Sequence, residues 1–281
     1  MLEGLLITFI GPGVMGEAMI VGLLKKQLAN PTQISISGPR KERVEELQNS
    51  FGVNPFTDNA LAIQQADIII LSIKPQRIEK VLSGLAEQIK KDALILSIVA
   101  GTSIAKIARL SKHGIIVRSM PNTPAQIGEG ITVWTCSKEV DERKKEIART
   151  ILSSFGQEIF VEEEEYLDKA TALSGTGPAY VYLFMEAMVD AGVHLGFSRR
   201  IAERLVIETV RGSVDYYDSG NSPSKHLANL RNQVTSPGGT SAEALYYLEK
   251  AGFRTALSRA IWAAYQRSQE LGVDAESKPP D

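Results

Sequence analysis

Gly11, Gly13 and Gly16 stand in G-x-G-x-x-G spacing within "GPGVMG", directly after the apolar run "LLITFI" and at the head of a helical stretch. In such a turn Gly11 allows the tight reversal, Gly13 lets the backbone approach a pyrophosphate, and Gly16 lets the helix lie close on the sheet. The helix start offers unpaired N–H groups and a partial positive charge to phosphates. The whole turn, Gly11-Pro12-Gly13-Val14-Met15-Gly16, is therefore expected to hold a dinucleotide. The glycine spacing alone is weak evidence, and a strand–helix turn without ligand is the alternative; the flanking strand and helix favour the ligand.

The next strand decides which dinucleotide. A ribose 2′-hydroxyl is normally taken by an acid about 20 residues beyond the glycines. Here "ISISGPRKER" places Ser37 and Gly38 where that acid would sit, with Arg40, Lys41 and Arg43 close behind. An acid would repel a 2′-phosphate, whereas Ser37 and Arg40 could bind one through charge-assisted hydrogen bonds. NADPH is the expected cofactor, with NADH also admissible. Two stiff turns follow other strands at the edge where such sheets bind ligands. They are Lys74-Pro75 in "SIKPQ", and Met120-Pro121-Asn122 in "RSMPNTP".

A third chemical feature lies far downstream, in "VTSPGGTS". Gly238 and Gly239 expose backbone N–H groups, Thr240 and Ser241 add hydroxyls, and a helix begins there. Small donors at a helix N-terminus suit a carboxylate. The same residues also suit an ordinary capped helix start, and residues alone do not separate the two. "LSGTGPAY", holding Ser174, Gly175, Thr176 and Gly177, reads either as a close-approach element or as a joint between helices.

These features need elements to position them. Seven short apolar runs, from Leu5–Ile10 to Gln157–Val161, alternate with helical stretches over the first 160 or so residues. Strands apolar on both faces imply a parallel sheet covered on both sides, the doubly wound α/β pattern. Beyond Glu165 only helical texture remains. We therefore expect an α/β fold with two domains, a Rossmann-type dinucleotide-binding domain over 1–163 and an all-α substrate and dimerisation domain over 164–281. The run "VEEEEYLD" at the boundary reads as a solvated connector or helix start. Apolar stripes on the later helices fit either packing on each other or pairing with a second copy.

Composition narrows the function. Lys plus Arg is 31 against 33 for Asp plus Glu, which argues against nucleic acid or an anionic membrane as main partner. The apolar runs are far shorter than the ~20 residues that span a bilayer. The N-terminus reads as a strand rather than a signal peptide. Cys136 is the single cysteine, expected as buried filler, and a reducing, cytoplasmic setting follows. No metal site is expected, and His113, His194 and His226 are scattered.

Taken together, "FIGPGVMGEAM", "IKPQ", "RSMPNTPA", "TALSGTGPAYVY…EAMVDAGVHLG" and "VTSPGGTSAEAL" resemble the pyrroline-5-carboxylate reductases, in order and spacing and over nearly the whole chain. The resemblance implies a homodimer or higher homo-oligomer built by the helical domain. It also implies reduction of L-1-pyrroline-5-carboxylate to L-proline by NAD(P)H. It adds Asn59 to the cofactor contacts and makes Ser236–Ser241 the substrate loop, with Ser174–Gly177 nearby and Ser241 positioning the substrate. No general acid is assigned. "GNSPSKHLANLRNQV" is longer than the usual form, and no residue there is given a role. A β-hydroxyacid dehydrogenase would share the fold but need a catalytic lysine, for which Lys169 and Lys225 are the candidates. A non-catalytic NADP(H) sensor would have little use for the small-donor loop.

Overall fold

The structure is a computed structural model that describes residues 2–219 and 226–272. The expected frayed tail, Lys225, and part of the longer "GNSPSKHLANLRNQV" segment lie outside the described residues.

The elements run β1 (Ile7–Ile10), α1 (Val14–Lys25), β2 (Ile34–Ser37), α2 (Lys41–Phe51), β3 (Asn54–Phe56), α3 (Asn59–Ile63), β4 (Ile68–Leu71), α4 (Ile78–Ser83), β5 (Leu94–Ser97), α5 (Ile104–Ser111), β6 (Ile116–Met120), β7 (Gly130–Cys136), α6 (Glu142–Leu152) and β8 (Gly156–Phe160). Then come α7 (Tyr166–Ala170), a π-turn (Thr171–Gly175), α8 (Gly177–His194), α9 (Arg199–Asp218), α10 (Leu227–Gln233), α11 (Thr240–Lys250) and α12 (Phe253–Gly272).

The eight strands form one sheet in the order β3-β2-β1-β4-β5-β6-β7-β8. The chain moves outward from β1 to β3, returns to β4, and moves outward the other way. The order reverses between β1 and β4, where ligands bind in open α/β sheets. The strand alternation separates two apolar layers. Ile7, Phe9, Ile68, Ile70, Leu94, Leu96 and Val117 pack with α1, α2 and α6 on one face. Ile10, Ile69, Leu71, Ile95 and Ile116 pack with α3, α4 and α5 on the other. That is why β1, β4 and β5 read as nearly continuous apolar runs.

Two features depart from the expected pattern. The strands are not all parallel: β7 runs antiparallel to β6. The link from Met120 to Gly130 is a short loop with a 3₁₀ turn (Thr123–Ile127), too short for the crossover that parallel neighbours need. β3 and α3 are additional elements at the sheet edge, where Pro55 costs no central ladder bond.

The described residues form two compact units, one of residues up to Pro178 with Ala263–Gly272, the other Ala179–Trp262. The expected division after residue 163 differs from this one. Partly buried bonds tie Glu164 and Asp168 to Arg118, and Ser268 to Asp168, so these segments belong to the sheet's unit. In the second unit only Val189, Ala202 and Val206 are buried apolar residues among those described. Val181, Leu183, Phe184, Leu205, Val214, Tyr246, Tyr247 and Trp262 are exposed in the single chain. No helix among the described residues is long and apolar enough to cross a membrane.

Candidate active site

The glycine turn is built as its spacing implies. Gly11 has φ +76°, and a Cβ there would overlap the Ile73 side chain and lie 3.2 Å from the Ile73 Cα. Its N–H donates to the Ser37 carbonyl at 2.8 Å, pinning the turn to β2. Gly16 leaves room for the Ser72 hydroxyl, which a Cβ would meet at 2.9 Å. At Gly13 the situation is reversed: a Cβ would meet only the Gly11 carbonyl, at 3.9 Å. Gly13 is the N-cap of α1 and supplies no side-chain cap. The first N–H groups of α1 thus lack a side-chain partner, as a phosphate seat requires. Pro12, Val14 and Met15 complete the turn.

Beside it, between the ends of β1, β2 and β4, lies a cavity of about 520 Å³. Gly11, Ser37 and Asn59 line it, and Ile73, Val81 and Leu85 supply an apolar wall. Ser37 is fully buried, and its hydroxyl donates to the Asn59 Oδ1 at 2.7 Å. That bond occupies the Asn59 acceptor and directs its amide N–H pair elsewhere. Asp58, also on the wall, caps α3 by accepting the Ala60 N–H at 2.7 Å. Arg40 is the exposed N-cap of α2, one residue beyond the lining Pro39. Arg77 and Lys80 also line the cavity, and the sequence reading missed them. Their signal was two cations just after the Lys74-Pro75 turn.

Further along the same sheet edge, exposed Lys74 precedes a 3₁₀ turn that opens on Pro75. Met120 ends β6, and Pro121 follows it. The Asn122 Oδ1 accepts the Ile131 N–H at 2.9 Å, tying this loop to β7. Ser174–Gly177 is neither a loop nor a simple joint. It is a π-turn and helix start between α7 and α8. Single π-turns inside helices are frequent at functional sites. The Ser174 hydroxyl donates to the Ala170 carbonyl and the Thr176 hydroxyl to the Thr171 carbonyl, each at 2.9 Å. A Cβ on Gly175 would lie 2.8 Å from the Met120 methyl, so the absent side chain is what lets Met120 in.

The Ser236–Ser241 loop belongs to the second unit. Gly238 adopts φ +72° with open space around it, and Gly239 is the N-cap of α11 without a side-chain cap. Thr240 is exposed and Ser241 half-buried. The geometry therefore leaves the first turn of α11 without the hydroxyl cap that a structural helix start would use.

Known proteins show the same combination. A family profile described as "Pyrroline-5-carboxylate reductase dimerisation" matches residues 164–271. Another, described as "NADP oxidoreductase coenzyme F420-dependent", matches residues 6–101. A pyrroline-5-carboxylate reductase of Synechocystis is 38% identical over 263 residues, covering 94% of this chain and 97% of that protein. The chain belongs to the pyrroline-5-carboxylate reductase family. The Escherichia coli reductase of that name is 36% identical, again across 94% of this chain and 97% of its own. The crystal structure of Plasmodium falciparum pyrroline carboxylate reductase with NADP bound gives a TM-score of 0.87 at 33% identity, covering 96% of this chain and 99% of that one.

The remaining candidates fall into structural roles in this family member. Lys169 pairs with Glu165 at 2.9 Å and lies over the Tyr166 ring, which does not suit a catalytic lysine. Hydrogen bonding from Lys169 holds the Glu165 carboxyl below its ordinary value. The glutamate run is more than a solvated connector, because Glu164 reaches Arg118 at 2.8 Å. His113 bonds the Ala93 carbonyl at 2.7 Å, and His226 is the N-cap of α10. Cys136 is half-buried, and burial pushes its thiol pKa up, the reverse of an activated nucleophile.

Proposed function

We infer that this chain reduces L-1-pyrroline-5-carboxylate to L-proline, using NADPH as hydride donor and accepting NADH less well. The observation that carries the substrate assignment is the uncapped N-terminus of α11 beside the open Gly238. A carboxylate there receives backbone N–H bonds and the favourable end of the helix dipole. The Ser236, Thr240 and Ser241 hydroxyls are further donors, and Ser241 positions the substrate.

The residues present fit NADPH. The uncapped α1 and the space over Gly13 suit a pyrophosphate. The cavity walled by Ile73, Val81 and Leu85 suits the adenosine; the Asn59 amide, oriented by the Ser37 hydroxyl, gives a 2′-phosphate donors, and Arg77 and Lys80 give it positive charge. Arg40 adds charge at its edge. Lys74-Pro75 and Met120-Pro121-Asn122 then border the nicotinamide. When bound, NADPH supplies the hydride.

The chain's own task is to bind, orient and exclude water. Ser174 and Thr176 have already donated their O–H bonds to backbone carbonyls, so toward a ligand they present lone pairs. Lone pairs suit the N–H of a protonated imine. The imine nitrogen is basic enough to take its proton before reduction, and no side chain is assigned as general acid. Fixing both reactants in register lowers the barrier by about 7–11 kcal/mol. The exposed apolar residues of Ala179–Trp262 are covered by a second copy, making a homodimer or larger assembly. The single cysteine fits a cytosolic setting.

The test follows NADPH and NADH oxidation by absorbance with pyrroline-5-carboxylate, and NADP⁺ reduction with 3-hydroxy acids as the opposing substrate. Turnover of the imine with NADPH preferred is expected. Turnover of the hydroxy acids alone would overturn the reading.

A further inference from the structure

Arg118 lies in β6 with its side chain only 6% exposed, yet no role in catalysis or binding falls to it. Its guanidinium forks between two carboxylates, Glu164 of the turn before α7 at 2.8 Å and Asp168 of α7 at 3.0 Å. Both acids have further partners. Glu164 accepts the Ile104 N–H at the start of α5 at 2.8 Å, and Asp168 accepts the Ser268 hydroxyl of α12 at 2.9 Å. One cation between two anions would leave an excess negative charge, which these donors and the α5 dipole offset. A buried charge is retained only where its partners are held in good geometry, and the planar fork of arginine fixes two of them at once.

The position of this network gives it a consequence. Arg118 and Met120 are two residues apart on one strand and so face the same side of the sheet. Ser119 faces the other way and donates to the Ser97 carbonyl at 3.1 Å. Asp168 sits in α7, which runs straight into the π-turn ending at Gly175. The Arg118–Asp168 pair therefore joins the same two segments that meet again at Met120 and Gly175.

We propose that Arg118, with Asp168 and Glu164, is a positioning residue for hydride transfer: it sets the spacing between the Met120 loop and the Ser174–Gly177 turn. It touches neither reactant. This rests on the reductase reading above, which wild-type turnover of pyrroline-5-carboxylate tests separately and first.

The experiment compares Arg118→Lys, which keeps the charge but loses the fork, with Asp168→Asn, which keeps the size and an acceptor for Ser268. Urea midpoints establish which variants are folded. For a folded variant, kcat is expected to fall about 10- to 100-fold, the range for a misplacement near 1 Å. The NADPH dissociation constant should stay within about twofold, since the adenosine cavity is built on other strands. The deciding readout is the deuterium isotope effect on kcat with NADPH deuterated at the transferred position. Misplaced reactants slow the hydride step itself, so the isotope effect rises. A merely structural role lowers the active fraction and leaves the isotope effect as in wild type, which would overturn the proposal, as would unchanged kcat. Failure of both variants to fold would overturn it too, by making the network a folding determinant.

Discussion

The glycine turn allows cofactor binding and folding to be separated within three residues. At Gly11 an added methyl must adopt φ +76°, which costs about 1–2 kcal/mol for a residue with a Cβ. It also overlaps the Ile73 side chain, and overpacking of this kind costs about 1–3 kcal/mol. Gly11→Ala should therefore lose about 2–5 kcal/mol of stability, or roughly 3–9 °C in Tm for a chain of this size. At Gly13 the backbone has φ −78° and ψ −164°, open to any residue, and the methyl meets only one carbonyl at 3.9 Å. Alanine is a poorer N-cap than glycine by a few tenths to ~1 kcal/mol. Its smaller unfolded-state entropy returns about 0.4–1 kcal/mol. Gly13→Ala should thus keep its Tm within about 2 °C. It should nonetheless lose at least one hydrogen bond to a charged phosphate, about 1.5–3 kcal/mol or roughly 10- to 150-fold in NADPH affinity. Differential scanning calorimetry and fluorescence titration with NADPH measure the two quantities. A Gly13→Ala protein that binds NADPH like wild type would show that the α1 N-terminus is not the phosphate seat. An undiminished Tm in Gly11→Ala would refute the steric account.

Three further outcomes follow from the same geometry. Ser37→Asp removes the Asn59 bond and sets an anion beside the 2′-phosphate; at about 4 kcal/mol for like charges 4 Å apart near a surface, selectivity should swing toward NADH by at least ~100-fold. Steady-state kcat/KM with both nucleotides tests it, and an unchanged ratio would remove Ser37 from the specificity site. Ser241→Ala should raise KM for the imine about 10-fold or more, the cost of one hydrogen bond to a carboxylate, while KM for NADPH stays put; the converse pattern would move the α11 loop to the cofactor site. Asp141 caps α6, and the Lys144 backbone N–H it accepts, at 2.7 Å, is the main cause holding its carboxyl below the ordinary 3.8. A depressed folded pKa means that its contribution is complete above 3.8 and fades as pH falls through the folded value. The urea midpoint of Asp141→Asn should therefore lie below wild type at neutral pH and converge on it in acid; a gap that persists at low pH would contradict the assignment.

What could be read from the chain divides along the distance over which each feature is determined. The glycine turn and the buried strands β1, β4 and β5 were legible because each is specified locally, by residues that fail sterically elsewhere or by apolar runs too short for helices. Short edge elements were not. Asn54–Phe56 contains a proline and is only half-buried, so nothing in its pattern distinguishes it from a loop, and Asn59 came from family likeness rather than from its residues. The direction of β7 depends on the length of one connection, which apolar patterning does not encode. The harder cases are charges. Within "EEEE" the residues are identical on paper, yet Glu164 alone meets Arg118, 46 residues earlier in the chain. Arg77 and Lys80 likewise became cavity residues only when the β4 edge was set against the β2 edge. A buried ion pair is specified by which strands are neighbours, and strand order is the last thing a single sequence reveals. That asymmetry bears on function: the glycine-bearing turns proposed to meet the ligands have strong local signatures, whereas the groups that hold those turns in register carry none. In this chain Met120 and Gly175 could be picked out by eye, while the arginine that fixes their spacing could not.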